Sequence, residues 1–268
     1  MSVRPRHGLL VPRVFLGAVA LVAAAVVSLP ASSATPNLEG FWWPGRAAAD
    51  SRMPELTSKL PAKGAAIRDL GAPSRTGGNF GELDVKEAAR AAAMKWNPMD
   101  EETVANVCKP PSIIYGMPGP FPFEIYQSDK LIVFRLEYYD QVRVVFLDGR
   151  SHPGSDYPHT TVGHSIGRWE GDTLVVDTTH LASSTMMGNG LRHSDDVHLV
   201  ERFRLTPDGK NMHWTQDVED PQVLNNHGIR YSVMERRKGN NIPYECDPSY
   251  GQSIQQRGGQ EPAATERK

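Results

Sequence analysis

The histidines of this chain are concentrated in one stretch. Six of the nine lie within 47 residues, and they are His152, His159, His164, His180, His193 and His198. A neutral imidazole is both the commonest metal ligand and the commonest acid–base group near neutral pH. The spacing contains neither an alternating His-x-His pair nor a His-Glu-x-x-His helix, so several loops would have to assemble any metal site. Acid–base chemistry, a metal site and structural histidines all remain open.

Two carboxylates share predicted strand faces with apolar side chains. Glu201 alternates in register with Leu199 and Phe203, and Asp177 falls on the same side of its strand as Val175. A buried carboxylate is costly unless it is paired or protonated. One explanation is an internal ion pair, for which the candidate partners are Arg135, Arg143 and Arg168. The other is a general acid or base with a raised pKa.

From these residues we predict one acid–base site. The predicted catalytic set is His164, His193, Asp177 and Glu201, meeting around a single cavity. The side chains predicted to bind substrate are Trp169, Tyr138, Arg143 and Arg202. Aromatic residues could line such a cavity, although core packing explains the same residues.

The run from Gly163 to Gly167, Gly-His-Ser-Ile-Gly, matches the Gly-x-Ser-x-Gly pattern of lipases and esterases. That chemistry needs its serine on a sharp turn from a strand into a helix. The residues after Ser165 instead predict a tight turn and another strand. A serine hydrolase acting through Ser165 is therefore the least favoured alternative.

Short alternating segments from residue 123 onward predict a β structure. The predicted strands are Glu124–Gln127, Leu131–Tyr138, Val142–Asp148, His164–Trp169, Thr173–Thr178, Val197–Leu205, Asn211–Val218 and Ile229–Arg236. Hairpin links with almost no helix between them favour antiparallel pairing. We predict a mainly β fold: an antiparallel barrel or strongly curved sheet of about eight to ten strands.

The ends of the chain have a different composition. Residues 1–34 combine basic residues, an apolar run and small residues before Thr35, as in a cleaved signal peptide. Residues 35–107 predict an irregular arm with one helix near 84–96, begun by a capping box of Asp84 and Glu87. Residues 108–246 form the predicted β domain, and residues 247–268 a polar, disordered tail.

Charge and cysteine content narrow the range of expected partners and cellular compartments. Without residues 1–34 the chain has a formal charge of −5 and no long basic run, which makes nucleic acid an unfavourable partner. The only two cysteines, Cys108 and Cys246, are expected to pair in an oxidising compartment. We expect a periplasmic or secreted protein with no membrane span in its mature form.

Several runs resemble a large family of exported bacterial proteins usually catalogued as hypothetical. They are Asp148-Gly149-Arg150 with His152-Pro153, the run from Gly163 to Thr178, His193-Ser194 and Glu201-Arg202-Phe203. The likeness extends from about Cys108 to Cys246. It implies export and a β unit of constant length, and it transfers no activity.

The expected function is that of a small-molecule enzyme using His and carboxylate chemistry inside a barrel, of lyase, isomerase or hydratase type and without an organic cofactor. A non-catalytic periplasmic binder of hydrophobic or aromatic ligands is the alternative from another class. A metal-dependent enzyme or metal carrier is the third, with histidines as ligands.

Overall fold

A computed structural model describes residues 1–2, 35–45, 52–68, 79–96, 108–247 and 249. Most of the predicted signal peptide and of the polar tail lies outside these residues. By its internal contacts the chain divides into Met1–Ser33 and Ala34–Lys268, and the fold given below is that of the second unit. No helix in the described ranges is long and apolar enough to cross a membrane.

The described part of the chain is built mainly from short strands. The strands are β1 (Gly40–Pro44), β2 (Gly64–Ala66), β3 (Phe123–Gln127), β4 (Leu131–Leu136), β5 (Val142–Phe146), β6 (His164–Glu170), β7 (Thr173–Thr179), β8 (Ser184–Thr185), β9 (Arg192–His193), β10 (His198–Leu205), β11 (Asn211–Glu219) and β12 (His227–Arg237). The helices are α1 (Pro54–Thr57), α2 (Glu87–Met94) and α3 (Ile113–Gly116), and a 3-10 turn covers Tyr138–Asp140.

Nine strands close into a barrel. Their order is β1-β3-β4-β5-β6-β7-β10-β11-β12, and β12 pairs back onto β1. The tenth strand, β2, adds to β12 outside this ring, while β8 and β9 form a separate two-stranded sheet. The predicted β-barrel is therefore confirmed. Closure satisfies the backbone groups that an open sheet edge would leave unpaired.

Strand β1 lies in the segment that the sequence analysis treated as an arm. It pairs antiparallel with both β3 and β12, so it is a wall strand of the barrel. Two pairings are parallel rather than antiparallel, β5 with β6 and β12 with β2. Both are short, with two residue pairs in the first and three in the second, so the barrel remains dominated by hairpins.

Helix α2 falls where a helix was predicted, but the predicted capping box was wrong. Lys86 occupies the N-cap position, and no side chain caps the helix. The Asp84 carboxylate instead accepts a hydrogen bond from the Asn225 side chain at 3.1 Å, and the backbone N–H of Asp84 donates to Asn226. Asp84 thus fastens its segment to the barrel, which a local sequence pattern does not reveal.

Aromatic side chains fill the barrel interior. The rings of Phe134 and Phe203 lie 5.3 Å apart, and Phe203 stacks on Trp214 at 5.4 Å. All three side chains are buried. The lumen is thus occupied by packed side chains, in contrast to the ligand-holding cavity expected from the sequence.

The predicted disulfide is present. Cys108 and Cys246 are bonded, with their Cα atoms 5.7 Å apart and 138 residues apart in sequence. Next to it, the backbone N–H groups of Ile242 and Tyr244 donate to the carboxylates of Glu137 and Asp140. The C-terminal segment is therefore held to the barrel covalently and by hydrogen bonds.

Candidate functional site

Glu201 forms a buried ion pair inside the barrel. It contacts Arg143, and both side chains are essentially inaccessible to solvent. The Glu201 carboxylate also accepts hydrogen bonds from the Trp214 indole at 3.1 Å and from the Gln216 amide at 3.3 Å. These contacts support the ion-pair explanation of Glu201. They also engage Arg143, a predicted substrate-binding residue, in the core.

The Arg143 guanidinium also forms hydrogen bonds with two buried hydroxyl groups. Its guanidinium donates to Ser165 at 3.1 Å and to Thr178 at 2.8 Å, and these two hydroxyls lie 2.9 Å from each other. Ser165 is 1% exposed and lies within β6, not on a turn into a helix. Its position therefore lacks the backbone geometry of a nucleophile elbow.

The two glycines of the Gly-x-Ser-x-Gly match have packing roles. Gly163 has a φ of +63°, and a Cβ there would lie 2.5 Å from the carbonyl oxygen of Thr179. A Cβ on Gly167 would lie 2.8 Å from side-chain atoms of Val145 and Leu147. Glycine is required at both positions by close approach, which explains the motif without catalysis.

His193 lies in a separate buried environment. Its Nε2 is 2.6 Å from the Ser112 hydroxyl and its Nδ1 is 2.8 Å from the Ser194 carbonyl oxygen. The carbonyl can only accept, so Nδ1–H donates to it and Nε2 accepts from Ser112. Burial lowers the pKa of His193 to about 4, which keeps the ring neutral.

The four predicted catalytic residues do not share one cavity, so that prediction was wrong. In the register of β7 and β10, Asp177 is opposite Val200, whereas Glu201 is opposite Val176. Residues one position out of register point to opposite sides of a sheet. Glu201 therefore faces the lumen while Asp177 faces the outer wall, and His193 is held elsewhere by Ser112.

The structure does bring together two of the four, His164 and Asp177, through a residue outside the predicted set. His152 Nδ1 lies 2.9 Å from His164 Nδ1, and its Nε2 lies 3.0 Å from the Oδ1 of Asp177. His198 Nε2 lies 2.8 Å from the same oxygen. We call His164, His152, Asp177 and His198 the outer-wall chain.

Neighbouring strands and one loop position this chain. Asp177 lies near the end of β7, while His164 and His198 are the first residues of β6 and β10. His152 comes from the loop between β5 and β6. That loop is fastened near Thr160, whose backbone N–H donates to His180 and whose carbonyl accepts from Ala182. The cluster thus rests on paired strands and an anchored loop.

The hydrogen bonds determine which ring nitrogens carry protons. An ionised carboxylate can only accept, so His152 and His198 both donate to Asp177 through Nε2–H. When His152 is neutral, its Nδ1 must accept, and the donor is Nδ1–H of His164. Nε2 of His164 then carries a lone pair. Among the described residues, no hydrogen bond uses that nitrogen.

The pKa values of His164, Asp177 and His198 are shifted in different directions. Burial lowers the pKa of His164, and the nearby charges of His152, Arg150 and His180 lower it further. Burial alone would raise the pKa of Asp177, but hydrogen bonds and charges from His198 and His152 outweigh it and lower that pKa. The hydrogen bond to Asp177 raises the pKa of His198. Opposed shifts in one cluster are typical of acid–base sites.

Aromatic and basic side chains lie close to the His164 ring. Phe146 stacks on its ring at 5.4 Å, and Tyr157 meets it edge-on at 5.8 Å. The Arg150 guanidinium lies 3.7 Å from the centre of the Phe146 ring and is also bound to Asp148. His164 itself is 8% exposed, while Tyr157 is 43% exposed. A mostly buried imidazole therefore lies next to an accessible aromatic wall.

The remaining predicted substrate-binding residues are dispersed. Trp169 lines a cleft of about 620 Å³ with Leu147 and Gln127. Tyr138 belongs to an aromatic cluster with Phe121 and Tyr244, where burial raises its pKa. Arg202 lines a different cleft with Glu55 and Arg204. These three side chains thus belong to different parts of the surface.

Sequence reasoning included His152 and His198 in the histidine group but not in the catalytic set. His152 could have been included because it belongs to the Asp-Gly-Arg-x-His-Pro run that begins at Asp148. For His198 the signal was its alternation with Val200 on the strand face opposite Glu201. The error was to treat the faces of Asp177 and Glu201 as one interior.

Within the described residues, no group of three or more His, Cys, Asp or Glu side chains is arranged to hold a metal ion. A comparison with protein-family models finds no match, and a search of curated proteins likewise finds none. The outer-wall chain therefore carries the functional interpretation by its geometry alone.

Proposed function

We propose that this protein is an exported enzyme that moves a proton on a small molecule, with His164 as the catalytic base. The reaction is of lyase, isomerase or hydratase type. The observation that carries the proposal is the continuous hydrogen-bonded chain from His164 through His152 to Asp177. The disulfide between Cys108 and Cys246 is compatible with an oxidising, extracytoplasmic compartment.

In this proposal each member of the outer-wall chain has a separate role. Nε2 of His164 takes a proton from the substrate, forming an imidazolium. His152 is bonded to both His164 and Asp177, so it stabilises that imidazolium and fixes the ring orientation, as an aspartate does in hydrolase triads. His198 holds Asp177 through a second hydrogen bond at 2.8 Å. His152, Asp177 and His198 are positioning residues, because they act through His164.

The same imidazolium can return its proton to the substrate. Returned to a different carbon, the proton completes an isomerisation. Delivered to a departing oxygen, it completes an elimination, and the reverse of that step adds water. Each outcome balances with one base and no oxidant. General acid–base groups of this kind contribute about 10²- to 10⁴-fold to rate.

The site lies on the outer wall because the lumen is already packed. The buried ion pair of Glu201 with Arg143 and the ring of Trp214 occupy the interior. By contrast, the side chains of Asp177 and His198 are 29% and 38% exposed, so the outer-wall chain borders solvent.

Hydrogen exchange tests the proposal without knowledge of the substrate. The protein is incubated in D₂O with a mixture of small-molecule metabolites, and deuterium incorporation is followed by mass spectrometry. Removing a carbon-bound proton and returning a deuteron labels the substrate even when the reaction is reversible. We expect at least one compound to gain deuterium with the wild-type protein, and His164→Gln to slow that gain by about 100-fold or more.

His227 provides a matched control. Its Nδ1 lies 2.7 Å from the Asp217 carboxylate on neighbouring strands, so it is another imidazole–carboxylate pair outside the outer-wall chain. His227→Gln should leave labelling unchanged, while Asp177→Asn should reduce it. Absence of labelling, or equal labelling by the wild-type protein and His164→Gln, contradicts the proposal.

A further inference from the structure

In the described part of the chain, the side of β12 that faces away from β11 has an opening one residue long between β2 and β1. Strand β2 pairs with β12 as far as Ile229, and β1 pairs from Met234 onward. Beyond these ladders, the N–H of Ile67 donates to the carbonyl of Ile229 and the N–H of Gly45 to that of Val233, both at 2.8 Å. Tyr231 lies between the two.

The peptide groups of Tyr231 face this opening. Backbone groups along a strand point to alternate sides, so Tyr231 shares its direction with Ile229 and Val233. Among the described residues, neither its N–H nor its carbonyl has a backbone partner on that side. Within that part of the chain, one donor and one acceptor are left on this side, the same pair that a neighbouring strand residue would use.

A cleft lies over this opening. It has a volume of about 750 Å³, and Tyr231 also lines an adjoining cleft of about 200 Å³. Leu60, Ile67 and Pro118 contribute apolar surface to the larger cleft. Its volume is within the range of small-ligand sites, roughly 300–1,000 Å³.

The rim of the cleft carries unpaired positive charge. Arg52 and Arg68 line it, and neither has an ion-pair partner in the part of the chain that the structure describes. The Arg52 guanidinium lies 5.2 Å from the centre of the Tyr231 ring. Glu82 is the one carboxylate in the described lining, so guanidinium groups outnumber it. In a chain whose net charge is −2, this favours an anionic ligand.

We propose that this cleft binds a small peptide in which one residue, with its own N–H and carbonyl, comes before the residue that bears the terminal carboxylate, such as an N-acyl dipeptide. The N–H of the first residue donates to the Tyr231 carbonyl and its carbonyl accepts from the Tyr231 N–H, as in strand addition. The carboxylate binds Arg52 and Arg68, since guanidinium groups match carboxylates closely. β1 and β2 close the edge on either side, so one paired residue fits and a longer strand does not.

Amide NMR with N-acetyl-alanyl-leucine as the probe tests this proposal. In the free protein, the Tyr231 amide should exchange with solvent much faster than those of Arg230 and Ser232, which pair with β11. Saturating peptide should slow exchange at Tyr231 and shift its resonance, leaving most of the barrel unchanged. The same peptide with a C-terminal carboxamide should bind about tenfold more weakly or worse.

Variants separate the cleft from general electrostatic attraction. Arg52→Gln and Arg68→Gln should each weaken peptide binding by about tenfold, the scale of a charge-assisted hydrogen bond. Lys130→Gln is the control, because Lys130 is an exposed base in the turn between β3 and β4. Undetectable saturable binding, an unmoved Tyr231 amide, or equal affinity in all three variants would overturn the proposal.

Discussion

At the scale of single residues, Asp177 and Glu201 show two different roles of a carboxylate group. Glu201 is fully buried and paired with Arg143, whereas Asp177 is partly exposed and accepts from two imidazoles. The first arrangement balances a charge inside the core. The second fixes the protonation of histidines at the surface, which is what proton transfer requires.

Replacing Glu201 by Gln should lower the free energy of unfolding by about 3–5 kcal/mol, because Arg143 would keep a buried and unpaired charge. Denaturant unfolding measures the loss. Glu170→Gln is the control, since Glu170 pairs with Arg168 at the exposed surface and its loss should cost less than about 1 kcal/mol. Adding Arg143→Met to Glu201→Gln should recover much of the stability. An unchanged unfolding midpoint in Glu201→Gln would contradict the ion pair.

His193 should make the fold sensitive to acid. Burial lowers its pKa in the folded protein to about 4, while an unfolded histidine titrates near 6.5. The unfolded chain therefore binds more protons between these values, and stability should fall as the pH drops from about 6.5 to about 4, by about 3 kcal/mol from this residue.

Urea unfolding at a series of pH values in that window checks the contribution of His193. In His193→Gln, which cannot titrate, the pH dependence should decrease by about one proton. His159→Gln, at a partly exposed position, should keep the full dependence. Identical pH profiles for the wild-type protein and His193→Gln would show that His193 is not the titrating group.

At the scale of elements, the sequence predicted the strands well where pairing is local. The prediction of Val197–Leu205 differs from β10 by one residue, and Asn211–Val218 differs from β11 by one residue. The hairpin turn between them carries its own local signal. Strand β1 was missed because its partners, β3 and β12, are distant in sequence, and a five-residue segment gives little alternation.

The candidate site was only partly predictable for the same physical reason. Alternation identifies two faces of a strand, but it does not say which face points into a barrel. Asp177 and Glu201 were therefore assigned to one cavity although they lie on opposite faces. The contact of His152 with both His164 and Asp177 depends on how a loop folds back over the strands, and no short-range pattern encodes that.

Strand β1 should be essential to the barrel. Trp42 is fully buried, its indole N–H donates to the Leu38 carbonyl at 2.9 Å, and Arg236 stacks on its ring. We expect Trp42→Ala to cost about 3–5 kcal/mol in thermal or chemical unfolding. The adjacent Trp43 is 39% exposed, so Trp43→Ala should cost much less. Equal losses would argue against β1 as a wall strand.

At the scale of the whole molecule, the disulfide joins the two ends of the β region. Because it closes a loop between residues 138 positions apart, the chain-entropy model gives a stabilisation of up to about 5 kcal/mol. Cys108→Ala combined with Cys246→Ala should therefore lower the unfolding midpoint substantially. Reductant should destabilise the wild-type protein and leave the double variant unaffected. A wild-type protein insensitive to full reduction would contradict a stabilising role.

The barrel also explains how the outer-wall chain stays in place. β6, β7 and β10 are consecutive neighbours in the sheet, and each contributes one member of the chain. The packed lumen behind them makes this wall stiff, because interiors at close packing resist deformation. The site is thus supported by the core without using it as a binding cavity.

Nitrogen-15 NMR of the histidine side chains tests the central claim most directly, because it reports the protonation of each ring nitrogen. Near neutral pH, His164 should carry its proton on Nδ1 and leave Nε2 unprotonated, and its pKa should lie below the ordinary histidine value. The pKa of His198 should lie above that value. Asp177→Asn should lower the pKa of His198 and disturb the His164 tautomer. A protonated Nε2 on His164, or a raised pKa there, would contradict its assignment as the catalytic base.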